Sequence, residues 1–349
     1  MYRAAFGILG LLLAVMLGPV DKAWSQPVVD FYKGKSVTLT VGAAAGGGYD
    51  IAARMVSRHI GRHIPGGPAI VVKNMPGANS LPMTNFLYNV AAKDGTELGA
   101  PNNGIPFEPL LHVLSKDGSN VKFDPLRFNW IGSPIQEVYV LLAWHTTPYK
   151  TFKDLIGNRM LVGSMGANAD NSILPSILEQ LTGAQFKIIH GYQGQNDLLL
   201  AIERGELAGA GGIGYNGLVA SRPDWLRDRK INLLVQFGAE RHPDMPNVPT
   251  AADLVTASDD RAVLDMLFAK YRLSRPLVAP PDVPQERVAA LRRAFDDTMK
   301  DEKLLQEAQT MGMEISPTSG AEIEAVIRKV HQSDPNQIAK ARKLVTPVQ

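Results

Sequence analysis

From Ser36 onward the chain alternates short apolar runs with longer stretches of helical periodicity. Residues 37–41 (Val-Thr-Leu-Thr-Val) are compact and β-branched, which predicts a buried strand. The glycine-rich segment 42–48 follows. From Asp50, a good N-cap, Ile51, Met55, Ile60 and Ile64 recur on one helical face. Pro65-Gly66-Gly67-Pro68 stops that helix. The same cycle predicts strands at 69–73, 97–100, 141–143, 160–163 and 186–189, and helices at 79–92, 171–181 and 197–204. Residues 231–236 form the last clear strand of the pattern. Beyond Pro249 the chain reads as mostly helical, with well-marked helices at 284–300 and 320–330.

Alternation of this kind predicts an α/β architecture, with parallel or mixed sheets covered by helices. Ligands in such sheets bind outside the carboxyl ends of the strands. A length of 349 residues suggests two domains. No long repeat and no low-complexity linker separates them, so ordinary crossovers must join the two. A net charge of +2 gives no polyanion-binding signature, so no nucleic acid partner is expected. The absence of cysteine removes disulfides, thiolate metal sites and cysteine nucleophiles. At the N-terminus, Arg3 precedes an apolar run at 6–17, then Gly18-Pro19, with Ala23 and Ser25 at −3 and −1 of a possible cut. This is the pattern of a secretory leader covering residues 1–25. The alternative, a membrane anchor, is disfavoured because the run falls short of the ~20 residues a spanning helix needs.

Three places carry candidate chemistry. Gly46-Gly47-Gly48-Tyr49-Asp50 joins a strand to a helix, where outward-turned amides and the helix N-terminus can hold an anion. It lacks the Gly-x-Gly-x-x-Gly spacing, the later acidic residue and the Gly-Lys-Ser/Thr of nucleotide sites. Ser164-Met165-Gly166-Ala167-Asn168 occupies the same kind of junction. It misses a nucleophile elbow because Val162 stands at the first glycine position, so Ser164 reads as a hydrogen-bond donor to a ligand. Asn102 and Asn103 follow the third strand; they can face the crevice or build a turn. Tyr192 follows another strand and can cap a cleft or pack under its loop. His59 and His63 lie four apart, but Ile60 replaces the glutamate of a zinc protease. With Arg54, Arg58 and Arg62 they read as a solvated basic face. No catalytic residue, metal or cofactor is expected.

Several blocks, in order, carry a resemblance: Gly46–Asp50 with Ala53-Arg54, Val72-Lys73-Asn74-Met75-Pro76-Gly77-Ala78, Ala92-Lys93-Asp94-Gly95-Thr96, Gly191-Tyr192-Gln193-Gly194 and Val248-Pro249-Thr250-Ala251-Ala252-Asp253-Leu254. Together they resemble the receptors of tripartite tricarboxylate transporters, the Bug family of periplasmic binding proteins. The resemblance implies a type II periplasmic binding protein fold: two α/β lobes with a ligand cleft between them. It divides the chain into 26–132 plus 239–349 as one lobe and 133–238 as the other. It implies a monomer that holds a small carboxylate by loop amides, small polar groups and water, and delivers it to membrane permease subunits. The loops at 46–50 and 164–168 would supply those groups from opposite lobes. Two features depart from the family pattern: Gly42-Ala43-Ala44-Ala45 leads into the first glycines, and Asn168-Ala169 ends the second loop, where a hydroxyl is usual. A role as the sensing partner of a kinase, or an α/β hydrolytic enzyme, are the alternatives.

Overall fold

The computed structural model describes residues 26–113, 119–167 and 169–346. The expected leader at 1–25 and the candidate Asn168 lie outside the described residues.

Eleven strands are present among these residues: β1 (Ser36–Val41), β2 (Ala69–Asn74), β3 (Glu97–Ala100), β4 (Asn129–Ser133), β5 (Tyr139–Trp144), β6 (Met160–Ser164), β7 (Phe186–His190), β8 (Gly209–Gly214), β9 (Ile231–Phe237), β10 (Leu277–Ala279) and β11 (Thr318–Ser319). They form two sheets, ordered β11-β4-β10-β3-β1-β2 and β7-β6-β8-β5-β9. β1 pairs in parallel with β2 and β3, while β10 runs antiparallel to β3 and β4. The second sheet repeats the plan, with β6 parallel to β7 and β8, and β5 antiparallel to β8 and β9. The three parallel strands of each sheet therefore end side by side, which gathers their following loops at one edge. Between the sheets the chain crosses at 134–138 and returns through 238–276.

The predicted strands all form, but the pattern missed four. β10 and β11 follow β9, so residues 231–237 are not the last strand. β4 and β8 were also unread. β8 is Gly-Ala-Gly-Gly-Ile-Gly, without the β-branched signal. Its glycines are demanded by packing: a Cβ at Gly209 would lie 2.0 Å from the Leu142 carbonyl oxygen, and one at Gly212 would lie 2.6 Å from Asp170 backbone.

The first long helix spans Gly48–Ile60, so Gly47 is its N-cap and Asp50 sits in its first turn. It ends four residues before Ile64, in the turn that prepares Pro65. The expected helix at 79–92 begins only at Leu81 and ends at Asn89, because Ala78, Asn79 and Ser80 all adopt positive φ. The basic side of Gly48–Ile60 and of the turn after it is only partly solvated: Arg58 and Arg62 stay exposed, whereas His59 and His63 are largely covered. Arg58 and His59 bond Glu307, and Arg62 and His63 bond Asp301, so this side docks on the helix Glu302–Thr310.

The largest apolar core runs from Leu81, Met83 and Trp130 on the first-sheet side to Leu141, Leu174 and Phe237 on the second. The helices Ser258–Phe268 and Pro335–Val345 bridge it, through Val263, Leu267, Ala341 and Leu344. Smaller cores lie behind each sheet, around Val56, Leu291 and Phe295 for the first and Leu198, Leu218 and Trp225 for the second. No helix among the described residues is long and apolar enough to cross a membrane.

Candidate functional site

Where the carboxyl ends of the two sheets face each other lies a cavity of about 380 Å³. The first sheet contributes Tyr49 from the first turn of the helix that follows β1 and Asn102 and Asn103 from the loop after β3. The second contributes Tyr139, Met165, Asp170, Asn171 and Gly212. The returning segment between the sheets adds Lys270 and Tyr271. A volume of this size suits a small organic solute.

The first-sheet wall is organised around a strained turn. Gly77 to Ser80 all have positive φ, three of the four not glycine, which costs free energy and persists only where contacts enforce it. Those contacts are visible. Ser80 Oγ donates to the Gly42 carbonyl at 2.9 Å and accepts from the Asn102 amide at 3.0 Å, tying the loops after β1 and β3 together. Gly42 permits the approach, since a Cβ there would stand 2.4 Å from Ser80. Asn103 then donates twice: its backbone amide to Tyr49 Oη and its Nδ2 to the Lys270 carbonyl, each at 3.3 Å.

The candidate residues divide cleanly. Tyr49, Asn102, Asn103 and Met165 line the cavity. Gly46, Gly47 and Gly48 lie exposed beside it, and part of their anion-binding capacity is already used: the Gly46 amide donates to Asp50 at 2.8 Å and the Gly47 amide to the Ala44 carbonyl at 3.3 Å. Asp50 is buried and faces inward, accepting also from Arg54 and Asn74. Arg54 first, then Gly46 and Asn74, lower its pKa to about 2 against the cost of burial.

Ser164 is fully buried. Its hydroxyl is engaged by the Gly166 carbonyl, Asn171 Oδ1 and Ser172 Oγ, and it accepts from the Gly166 amide. The Met165 amide donates to Asn171 Oδ1. Gly166 and Ala167 lie off the cavity wall. His190 reaches Ser172 at 3.3 Å and not Ser164, so Ser164 has no base beside it. Tyr192 packs beneath the second loop, with its ring 3.0 Å from where a Gly163 Cβ would sit.

What the pattern missed is the charge. Lys270 Nζ bonds Asp170 Oδ1 at 2.9 Å inside the cavity. Tyr271 is buried with its hydroxyl close to Asp170; burial first, then the Asp170 charge, hold its proton on well above the ordinary range. Behind Tyr49, the Arg275 guanidinium lies 4.4 Å from the ring centroid. Asp170 follows the second loop directly and extending that motif by two residues would have found it. Lys270 and Arg275 carry no local signal. They reach the site only because the chain returns there between helix Ser258–Phe268 and β10. Among the described residues no cluster of His, Asp and Glu is placed to hold a metal.

The sequence profile described as "Tripartite tricarboxylate transporter family receptor" matches residues 52–342. The chain belongs to this family. Its relatives include a UPF0065 protein of Agrobacterium vitis, 23% identical over 86% of this chain and 82% of that protein. Two solved structures share the fold: a TctC solute-binding protein from Polaromonas, and MatC from Rhodopseudomonas palustris with bound malate. The first is 19% identical over 90% of this chain and 99% of that one, with a TM-score of 0.68. The second is 18% identical over 89% and 98%, with a TM-score of 0.57. The expected two-lobed periplasmic binding protein fold is therefore correct. Members of the family are periplasmic solute-binding receptors.

Proposed function

We propose that this receptor captures a small organic carboxylate between its lobes and delivers it to the permease subunits of a tripartite tricarboxylate-type transporter. The observation that carries the reading is the cavity itself. Loops from the carboxyl ends of both sheets converge on it with amide, phenol and ammonium donors, and its volume fits a small acid. The malate held by MatC supports the choice of ligand class. The lobes are taken as 26–132 plus 239–349 and 133–238, acting as a monomer. Closure would remove water from the donors and strengthen each bond to a carboxylate. Residues 1–25 would direct export to the periplasm. Binding without turnover is favoured because Ser164 is buried within its own loop and has no adjacent base.

A thermal-shift screen of the protein lacking residues 1–25 tests the proposal. A ligand at 100 times its Kd adds about 2.7 kcal/mol of stability, a readily measured rise in melting temperature. A shift with any carboxylate is the expected result; uncharged sugars shifting the protein while every acid fails would remove it.

A further inference from the structure

Resting on that reading, we infer that the solute is an amphiphilic monocarboxylate: one carboxylate on an apolar body, anchored by Lys270, with Asp170 excluding additional carboxylates.

The charge on the wall sets the limit. Among the described residues lining the cavity, Lys270 is the single cationic side chain, whereas Asp170 and Glu108 are acidic. Lys270 and Asp170 are each about three-quarters buried and lie 2.9 Å apart. An ammonium has three donors, so Lys270 can keep Asp170 and still hold one ligand carboxylate. A second ligand carboxylate would enter the cavity with no counter-charge left and with Asp170 repelling it, and an unpaired buried charge is strongly disfavoured. Arg275 does not relieve this. It lies behind the Tyr49 ring, is absent from the cavity wall, and shares its surroundings with Glu137.

The remainder of the wall selects the body. Asp170 opens the helix Asp170–Thr182, and Ile173 and Ile177 follow it on the same face at three and seven residues. At 1.5 Å per residue the apolar stripe runs about 10 Å away from the charge pair. Leu111, Phe107, Leu267 and Val345 enclose it from the other sides. Citrate or malate would leave these side chains against carboxylate and hydroxyl groups. A medium-length acyl chain or an aryl ring on a short spacer would cover them. The same chemistry is met by a plain acid or by an apolar amino acid, whose ammonium Asp170 would accept.

The test is a calorimetric panel on the protein lacking residues 1–25: hexanoate, phenylacetate and leucine against succinate, malate and citrate. At least one of the first three is expected to bind at least tenfold more tightly than any of the second three, and leucine alone would place the ammonium on Asp170. Preference for succinate, malate or citrate overturns the inference while leaving carboxylate capture intact. No binding by any of the six acids overturns both. Lys270→Met is expected to weaken the preferred ligand about 10–100-fold, the loss of a charge-assisted bond. Unchanged affinity in a variant that melts cooperatively removes Lys270 as the anchor. Asp170→Asn keeps the shape of the wall and is expected to bring succinate within about tenfold of the preferred ligand; continued exclusion of succinate removes that role from Asp170. If either variant fails to fold, the panel on the unaltered protein still decides the ligand class.

Discussion

Asp50 is 2% exposed, and its carboxylate accepts from the Gly46 amide, Arg54 and Asn74. The first loop is thus shaped by a charge that faces the protein. Its pKa falls from 3.8 to about 2, chiefly through Arg54. A carboxylate depressed on folding stabilises above its unfolded value and loses that contribution as pH falls through the folded value. The shift corresponds to about 2 kcal/mol. Asp50→Asn should therefore lower the urea-unfolding stability by about that amount at pH 7, with the gap narrowing between pH 4 and pH 2. A gap independent of pH would assign the loss to shape alone. The same residue shows what was legible. Glycines after a strand mark a special loop whether their amides serve a ligand or a neighbouring carboxylate, and sequence does not distinguish the two uses. Tyr49, Asn102, Asn103 and Met165 reach the cavity wall because Asn102, Asn103 and Met165 lie just past the carboxyl ends of strands and Tyr49 opens the helix that follows one, where topology directs residues to the crevice. Lys270 was not found because nothing local to 269–275 announces its return to that crevice.

At the scale of elements, the helix Gly48–Ile60 shows the same division. Periodicity identified the polar face formed by Arg58 and His59 on it and by Arg62 and His63 in the turn that follows, but could not supply the partner some 240 residues away. In the structure His59 Nε2 bonds Glu307 at 2.6 Å, and His63 Nε2 bonds Asp301 at 2.7 Å. Asp301 has a second task as N-cap of the helix Glu302–Thr310, accepting from the Lys303 and Leu304 amides. Its side chain is 11% exposed, against 28% for Glu307. Asp301→Ala, which removes the cap as well as the ion pair, should accordingly cost about 1–2 kcal/mol, and Glu307→Gln less, about 0.5 kcal/mol. Arginine hydrogen bonds hold both carboxyls below their ordinary pKa values, so both losses should shrink as pH is lowered below about 4. Chemical denaturation of the two variants at pH 7 and pH 3 measures this; an equal cost for both would mean that the cap adds nothing. Strand β8 was missed for a different reason. Its glycines erase the hydrophobic signal, yet close packing against β5 and the start of helix Asp170–Thr182 requires them.

For the molecule as a whole, one apolar core continues from the first sheet to the second, so any closure must pivot about that core rather than separate two independent bodies. On the 134–138 crossover, Glu137 is 9% exposed with Oε1 lacking a hydrogen-bond partner. Tyr271 lines both the solute cavity and a second hollow of about 230 Å³ that Glu137 faces, so crossover and site share a wall. Burial raises the Glu137 pKa and Glu314 adds to this, against the attraction of Arg275 and the amides of Asn216 and Val138. A carboxyl raised on folding contributes its full stability below the ordinary glutamate value and loses it as pH rises through the folded value. Glu137→Gln removes the ionisable group while keeping its shape. It should raise the melting temperature at pH 7.5 by about 1–2 °C for each kcal/mol recovered in a chain of this length, and leave it unchanged at pH 4. A lower melting temperature at pH 7.5 would reverse the assignment. The attraction of Arg275 would then outweigh the burial of Glu137, and that contact would hold the crossover behind the Tyr49 wall of the cavity. Measuring solute affinity on the same variant separates the cases further: relief of the burial cost alone leaves it unchanged, whereas loss of an Arg275 partner would disturb Tyr49 and weaken binding.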